Sequence, residues 1–292
     1  MAKFLSIRLL KALITIWFII TVIFVLMRLS GDPTEWLLPD DAPENVRIEL
    51  RASLGLDRPI WEQYVEYVKG LATGDMGKSY YFLKPVNELF NERMSVTLIL
   101  GGTSLLLTVI IRMPLGVIAA VNRDSWLDRL MMGISIAGHT VPNFVLGILM
   151  IFLFSLQLRI LPSGGSATVN HYIMPIIAMT VGSLTSVARL TRSSMLDVLR
   201  QEYLDSARAK GISEKRVIYK HALRNALIPV VTIIGLQLGT MIGGAVVVET
   251  VFAMPGLGSL IVAAAQQRDF PVLQYGVMLI AISVCLANLI VD

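Results

Sequence analysis

The sequence predicts an all-α, polytopic membrane helix bundle with six transmembrane helices and a small folded extracytoplasmic loop. Three observations carry this prediction. The 292 residues are 55% hydrophobic and only 16% charged, with a mean hydropathy of +0.69. A soluble domain carries about 25% charged residues, and a chain so poor in charge would struggle to cover a water-facing surface. Apolar runs of membrane length recur along the chain, and the basic residues are sorted between alternate loops.

A spanning helix needs roughly 20 mostly apolar residues. The candidate spans are 9–27, 95–121, 130–158, 172–190, 226–248 and 272–292. Lys3, Arg8 and Lys11 precede the first run, as in a signal peptide. No small-x-small cleavage pattern follows it, and the run exceeds a signal core of about 7–15 residues. It reads as a retained membrane helix. Pro114, Pro142, Pro175 and Pro229 lie in or beside the later runs. Each removes a backbone donor and bends or breaks its helix. The freed groups suit either a translocation path or a static bundle. The single cysteine, Cys285, excludes an intrachain disulfide framework.

Orientation follows from the excess of Lys and Arg in cytoplasmic loops. With the amino terminus in the cytoplasm, 14 of the 25 basic residues fall inside. The segment 189–224 has nine basic and four acidic residues, whereas 30–94 has seven and twelve. The expected division is therefore a cytoplasmic terminus and first span (1–29), an extracytoplasmic loop (30–94) and a membrane core (95–292) carrying a cytoplasmic loop at 189–225. In the outer loop, Pro59 suits a helix start. Tyr64, Tyr67, Val68 and Leu71 would then share one face, as in a folded cap or an aromatic belt at the interface.

The loop at 189–225 predicts two helices around a glycine. Glu202 and Asp205 lie near the start of the first, where negative charge is favoured. Gly211 fits the left-handed position just past its end. Ser213 is a candidate cap for the second helix, which would run from Glu214 toward His221. Such a basic loop could sit on anionic lipid. It could equally dock a cytoplasmic protein, with Ser206, Ala207 and Ala209 as a small-residue face.

The string Asp205-Ser206-Ala207-Arg208-Ala209-Lys210-Gly211 resembles the coupling motif of bacterial ATP-binding-cassette importer permeases. The general motif continues with an aliphatic residue and Leu-Pro, whereas this chain has His221-Ala-Leu-Arg224 and a later Pro229. That departure, with Asn225-Ala and Ile228-Pro229, is similar to the dipeptide, oligopeptide, nickel and glutathione branch. Other matching strings span nearly the whole chain, among them Gly31-Asp32-Pro33, Gly74-Asp75-Met76-Gly77, Pro255-Gly-Leu-Gly258 and Arg268-Asp-Phe-Pro271.

The resemblance implies a type I importer permease fold in the bacterial inner membrane. It implies a second homologous permease subunit, two cytoplasmic ATP-binding subunits and an extracytoplasmic substrate-binding protein as partners. ATP and Mg would be held by the ATPase partners, with no cofactor, catalytic residue or metal in this chain and no nucleic-acid role. The coupling residues it implies are Glu202, Asp205, Ser206, Ala207, Arg208, Ala209, Lys210, Gly211, Lys215, His221 and Arg224. A membrane-embedded interaction or sensor subunit without transport is the alternative.

Two other features bear on chemistry. The string Ala72-Thr-Gly-Asp-Met-Gly77-Lys78-Ser79 nearly fits a phosphate loop. It lacks the first glycine and a preceding strand, and Asp75 would repel phosphate, so a tight turn is expected. His139, His171 and His221 are far apart and show no metal-ligand spacing. Arg112, His139, Asn143, Gln237 and Glu249 are polar groups at or near membrane depth, where they are costly. Each either hydrogen-bonds within the bundle or contributes to a pathway or gate.

Overall fold

The computed structural model describes residues 2–39, 41–182 and 184–291. Helices account for the architecture, and an isolated antiparallel bridge pairs Lys78 with Pro85. Helix α1 (Ala2–Leu29) contains neither glycine nor proline and runs unbroken. All its backbone bonds can close within one segment, as a lipid environment requires. Three short helices then form the loop between α1 and the next long helix: α2 (Thr34–Leu37), α3 (Glu44–Ser53) and α4 (Ile60–Thr73).

The expected face of α4 is the one that packs. Tyr67 stacks on Phe24 of α1, with ring centroids 5.6 Å apart, and Tyr64 meets the same ring edge-on at 5.2 Å. The Tyr64 hydroxyl also lies 2.7 Å from Thr21 Oγ1. Pro59 stands one position before the helix, at φ −55° and ψ 144°, rather than in its first turn.

Helix α5 (Val86–Leu107) continues through a π-helical segment (Thr108–Arg112) into α6 (Met113–Val121). This rod of 36 residues is about 54 Å long, well beyond a bilayer core of about 30 Å. The widened turn comes just before Pro114, whose ring cannot accept an ordinary preceding turn.

The run 130–158 is not one continuous helix. Helix α7 (Trp126–Thr140) ends before Val141 and Pro142, and α8 (Asn143–Met150) starts after them, continuing as a π-helical segment (Ile151–Gln157). Proline forces its predecessor out of the helical region, and Val141 accordingly has φ −91° and ψ 118°. Helices α9 (Asn170–Gly182) and α10 (Leu184–Leu199) follow.

Beyond the 202–222 segment, α13 (Leu223–Gly239) gives way at Thr240 to α14 (Met241–Val251), which divides the run 226–248 as well. Helices α15 (Leu257–Gln266) and α16 (Phe270–Val291) complete the chain. Among the described residues, four continuous helices are long and apolar enough to cross a membrane: Ser6–Leu29, Val86–Val121, Glu214–Gly239 and Phe270–Val291. The runs 130–158 and 226–248 are shorter pieces, divided at Val141-Pro142 and at Thr240.

Three cores are strung along the α5–α6 rod. Val86, Leu89 and Phe90 pack with Leu257, Leu260 and Val272 at one end. Val96 and Leu100 meet Met150, Met174, Val248 and Phe252 in the middle. Val117 and Ala120 join Met195, Leu204, Val217 and Ala222 at the other end. That last core carries the loop at 202–222.

Candidate functional site

The loop is a short helix α11 (Glu202–Ala209), a glycine turn and a second helix that begins as α12 (Glu214–Arg216) and continues as π-helix (Val217–Ala222) into α13. Gly211 has φ +78°, the left-handed conformation expected of it. Its N–H donates to Arg208 O at 2.9 Å, and Ile212 N–H donates to Ala207 O at 3.3 Å. These two bonds form the Schellman arrangement that closes a helix end. Ile212 then packs against the core that holds Ala207.

Arg208 staples the two helices together. Its Nη1 donates to Asp205 Oδ1 at 2.8 Å, while Nε and Nη2 donate to the two oxygens of Glu214 at 3.1 and 3.0 Å. The Glu214 fork and the Asp205 bond hold the guanidinium well above its ordinary value. The same fork keeps the Glu214 carboxyl below the usual carboxylate range. Tyr203 adds a tie to the second helix: its hydroxyl donates to His221 O at 3.3 Å and accepts from Asn225 Nδ2 at 2.8 Å.

The expected residues divide into two faces. Glu202, Asp205, Ser206, Ala209, Lys210, Gly211, Lys215 and Arg224 are exposed. Ala207 is 9% exposed and packs inward beside Leu204, so the small-residue face consists of Ser206 and Ala209 without it. Arg208 and His221 are half-buried. Ser213 makes no side-chain cap. Its carbonyl instead accepts from Arg216 N and Val217 N at 2.9 and 3.0 Å.

A largely buried ion pair joins α10, the helix that precedes the loop, to α7. Arg192 of α10 donates from Nε and Nη2 to both oxygens of Asp128 on α7, at 2.7 and 2.6 Å. Such a fork matches carboxylate geometry with two parallel bonds. Arg192, by this bond, keeps the Asp128 carboxyl below its ordinary value. Sequence reading missed this pair, Tyr203 and Glu214. Arg208 and Glu214 are six positions apart across a glycine turn, which is a usable signal. The two members of the Arg192–Asp128 pair are 64 residues apart and carried none.

The membrane-depth residues separate. Asn143 and Gln237 line one cavity of 160 Å³ with Ser104, Thr108 and Thr240. This cavity lies where three helices depart from regularity: the π segment after α5, the start of α8 and the α13–α14 break. Arg112 is buried away from that lining, and its Nε has no partner among the described residues. The His139 side chain lies outside the described residues.

Glu249 is fully buried. It accepts from Thr97 Oγ1 at 2.5 Å and from Ser259 N at 2.9 Å. The carboxylate thus sits on the start of α15, where orphan backbone donors and the helix dipole favour negative charge. Of the two readings offered for it, Glu249 makes the hydrogen bonds within the bundle. Asp269 does similar work on the loop at 30–94, accepting from Ser79 Oγ and from Tyr80 N at 3.1 Å. Ser79 belongs to the string that nearly fits a phosphate loop. That string forms a turn with Gly74 and Gly77 at φ +80° and +72°.

Comparison with known proteins places this geometry. Residues 112–292 match the family described as the binding-protein-dependent transport system inner membrane component, and residues 1–101 match its N-terminal family. The chain belongs to this family. It is a multi-pass permease subunit of a binding-protein-dependent importer, and it works with other subunits. The permease is 42% identical over 286 residues to the glutathione transport system permease protein GsiC of Escherichia coli strain CFT073, covering 98% of this chain and 94% of that one. It is equally similar to the GsiC protein of Shigella dysenteriae serotype 1. The permease also superimposes on a chain of the inward-facing MetNI methionine ABC transporter, with a TM-score of 0.56 and 23% identity over 70% of this chain and 94% of that one. This likeness supports the type I importer fold.

Proposed function

We propose that this permease imports a small peptide-like solute, with glutathione as the first candidate. It would do so beside a second permease subunit, two cytoplasmic ATP-binding subunits that hold ATP and Mg, and an extracytoplasmic binding protein. The 42% identity to glutathione permeases across nearly the whole chain supports the cargo class. The excess of basic residues at 189–224 supports a cytoplasmic amino terminus and an outer cap at 30–94.

The observation that carries the coupling reading is the construction of α11. Its exposed face presents Glu202, Asp205, Ser206, Ala209 and Lys210, while Leu204 and Ala207 lock the other face into the core. A docking element must be rigid at both ends to pass a displacement on, and α11 has the Gly211 closure and the Arg208 staple at one end and Tyr203 at the other. ATP shifts the transport cycle only through different affinity for two states, and α11 is the surface through which that difference reaches the bundle. In this reading Asn143 and Gln237 line a polar station on the path.

The test is Gly211→Pro in the assembled transporter. Proline cannot adopt φ +78° and has no N–H for Arg208 O. Uptake and substrate-stimulated ATP hydrolysis are expected to fall at least tenfold while membrane insertion is unchanged. Normal uptake would refute the coupling role. A second test places Ala209→Cys in a Cys285→Ser background and looks for crosslinks to a co-expressed ATPase subunit. Absence of crosslinks there and at Ser206→Cys would count against docking through this face.

A further inference from the structure

Helix α4 clasps α1 through Tyr64 and Tyr67, and α1 in turn lies against α16. The first turns of α16 also face α4 across a pocket of 410 Å³. Tyr67, Lys69 and Gly70 line it from α4, Asp75 from the turn that follows, and Gln274 and Tyr275 from α16. Small-molecule sites have volumes of about 300–1,000 Å³. The wall on the α4 side is held in shape. A Cβ on Gly70 would lie 2.6 Å from Asp75 O, so the turn rests directly on the helix. Gly74 and Gly77 bend that turn back at φ +80° and +72°.

Gln274 is the residue that points to a ligand. It is only 9% exposed, it lines the pocket, and its amide makes no hydrogen bond among the described residues. A glutamine amide offers two donors and an acceptor, and burying them unmet is costly. An apolar residue would fill the same place beside Leu71 and Met76 without that cost. The Tyr67 hydroxyl is likewise buried with no partner among the described residues. The rim carries both signs of charge. Lys69 and Asp75 are exposed there, and neither forms an ion pair among the described residues. Asp75 Oδ1 accepts from Gly77 N at 3.0 Å, which leaves Oδ2 open. Glu66, also on the lining, is taken up by Arg58 at 2.8 Å.

We infer that this pocket binds a short zwitterionic peptide, with its carboxylate on Lys69, its ammonium on Asp75 and its amide on Gln274. Such a molecule carries both charges as its own termini, with a peptide group between them. A folded partner would have to bring the two charges on separate side chains and an amide to a buried glutamine between them. The pocket shares no lining residue with the Asn143–Gln237 cavity, so it is a second site, apart from the proposed path. The ligand class is read from the pocket alone and does not depend on which solute is transported.

The full chain, purified in detergent, would be titrated by calorimetry with alanylalanine, its N-acetyl form and its carboxamide form. Alanylalanine is expected to bind about tenfold more tightly than either form lacking one charge. Gln274→Leu should weaken its binding by about tenfold without lowering the unfolding midpoint. Lys69→Gln should weaken alanylalanine but not the carboxamide form. Asp75→Asn should weaken alanylalanine but not the N-acetyl form. A merely structural role for either side chain would move all three compounds together. Asn143→Ala with Gln237→Ala should leave the three affinities unchanged, while uptake by the assembled transporter tests that cavity separately. Equal affinity for the three compounds, or binding by none, would overturn the assignment. So would binding that survives Gln274→Leu but is lost in the Asn143 and Gln237 double variant.

Discussion

At the scale of the residue, Glu249 shows how much a buried carboxylate can organise. Thr97 links α5 to it and also accepts from Leu257 N at 2.8 Å, so one hydroxyl bridges the acid and the helix it holds. The approach is close enough to demand glycine. A Cβ on Gly258 would lie 2.5 Å from Val246 Cα and 2.9 Å from a Glu249 oxygen. Backbone must move to make room. Gly258→Ala is expected to cost about 1–3 kcal/mol, an overpacking penalty, and to lower the unfolding midpoint in detergent. Tryptophan fluorescence on heating would measure it, and an unchanged midpoint would mean that α14 and α15 pack more loosely than described. The sequence marked Glu249 and the Pro255–Gly258 string separately. Nothing in the spacing tied one to the other, because their contact depends on the chain reversing between α14 and α15.

At the scale of the element, the loop at 189–225 was the most legible part of the chain. Gly211 could be assigned a left-handed turn because its place after a run of tolerable helix formers leaves few other readings. Ala207 was misplaced because a helix of eight residues has too few turns for its buried side to be read from periodicity. The Asp128–Arg192 pair was invisible for another reason: a tertiary ion pair has no sequence spacing. Its consequence can be measured. Asp128 is 5% exposed at its side chain and Arg192 is 23% exposed. Arg192→Ala would leave a buried carboxylate unpaired and should destabilise by about 2–3 kcal/mol, less than a fully sealed pair would cost. The pH dependence follows from the sign of the shift. Asp128 titrates lower in the folded protein than in the unfolded chain. Its stabilisation is present above the ordinary carboxylate value of about 4 and is lost as pH falls through the folded value. Melting temperatures measured from pH 7 to pH 3 should drop less steeply in Asp128→Asn than in the unaltered chain. Parallel curves would assign the acid sensitivity elsewhere.

At the scale of the whole molecule, composition and charge asymmetry were enough for a membrane bundle. The family strings were enough for an importer permease. The expectation of six membrane spans met a less regular arrangement because apolar content marks where chain is dry, not where a helix is continuous. Pro142 and Thr240 interrupt runs that hydropathy alone joins. The polar cavity bounded by Asn143 and Gln237 forms beside those interruptions, so the departure from regular helices and the candidate path have one cause. The three cores follow from the α5–α6 rod, which is long enough to take part in all of them.

The pairing of α1 with α16 also bears on how the chain is made. Leu29 and Phe270 are 241 positions apart. At about 5–20 residues per second, synthesis of the intervening chain takes roughly 10–50 s. Throughout that interval the first membrane segment has no α16 to lean on. Until then its uninterrupted apolar helix and the clasp of Tyr64 and Tyr67 on Phe24 must hold it. Helix α1 thus meets one neighbour almost at once and the other only after most of the intervening chain has been made.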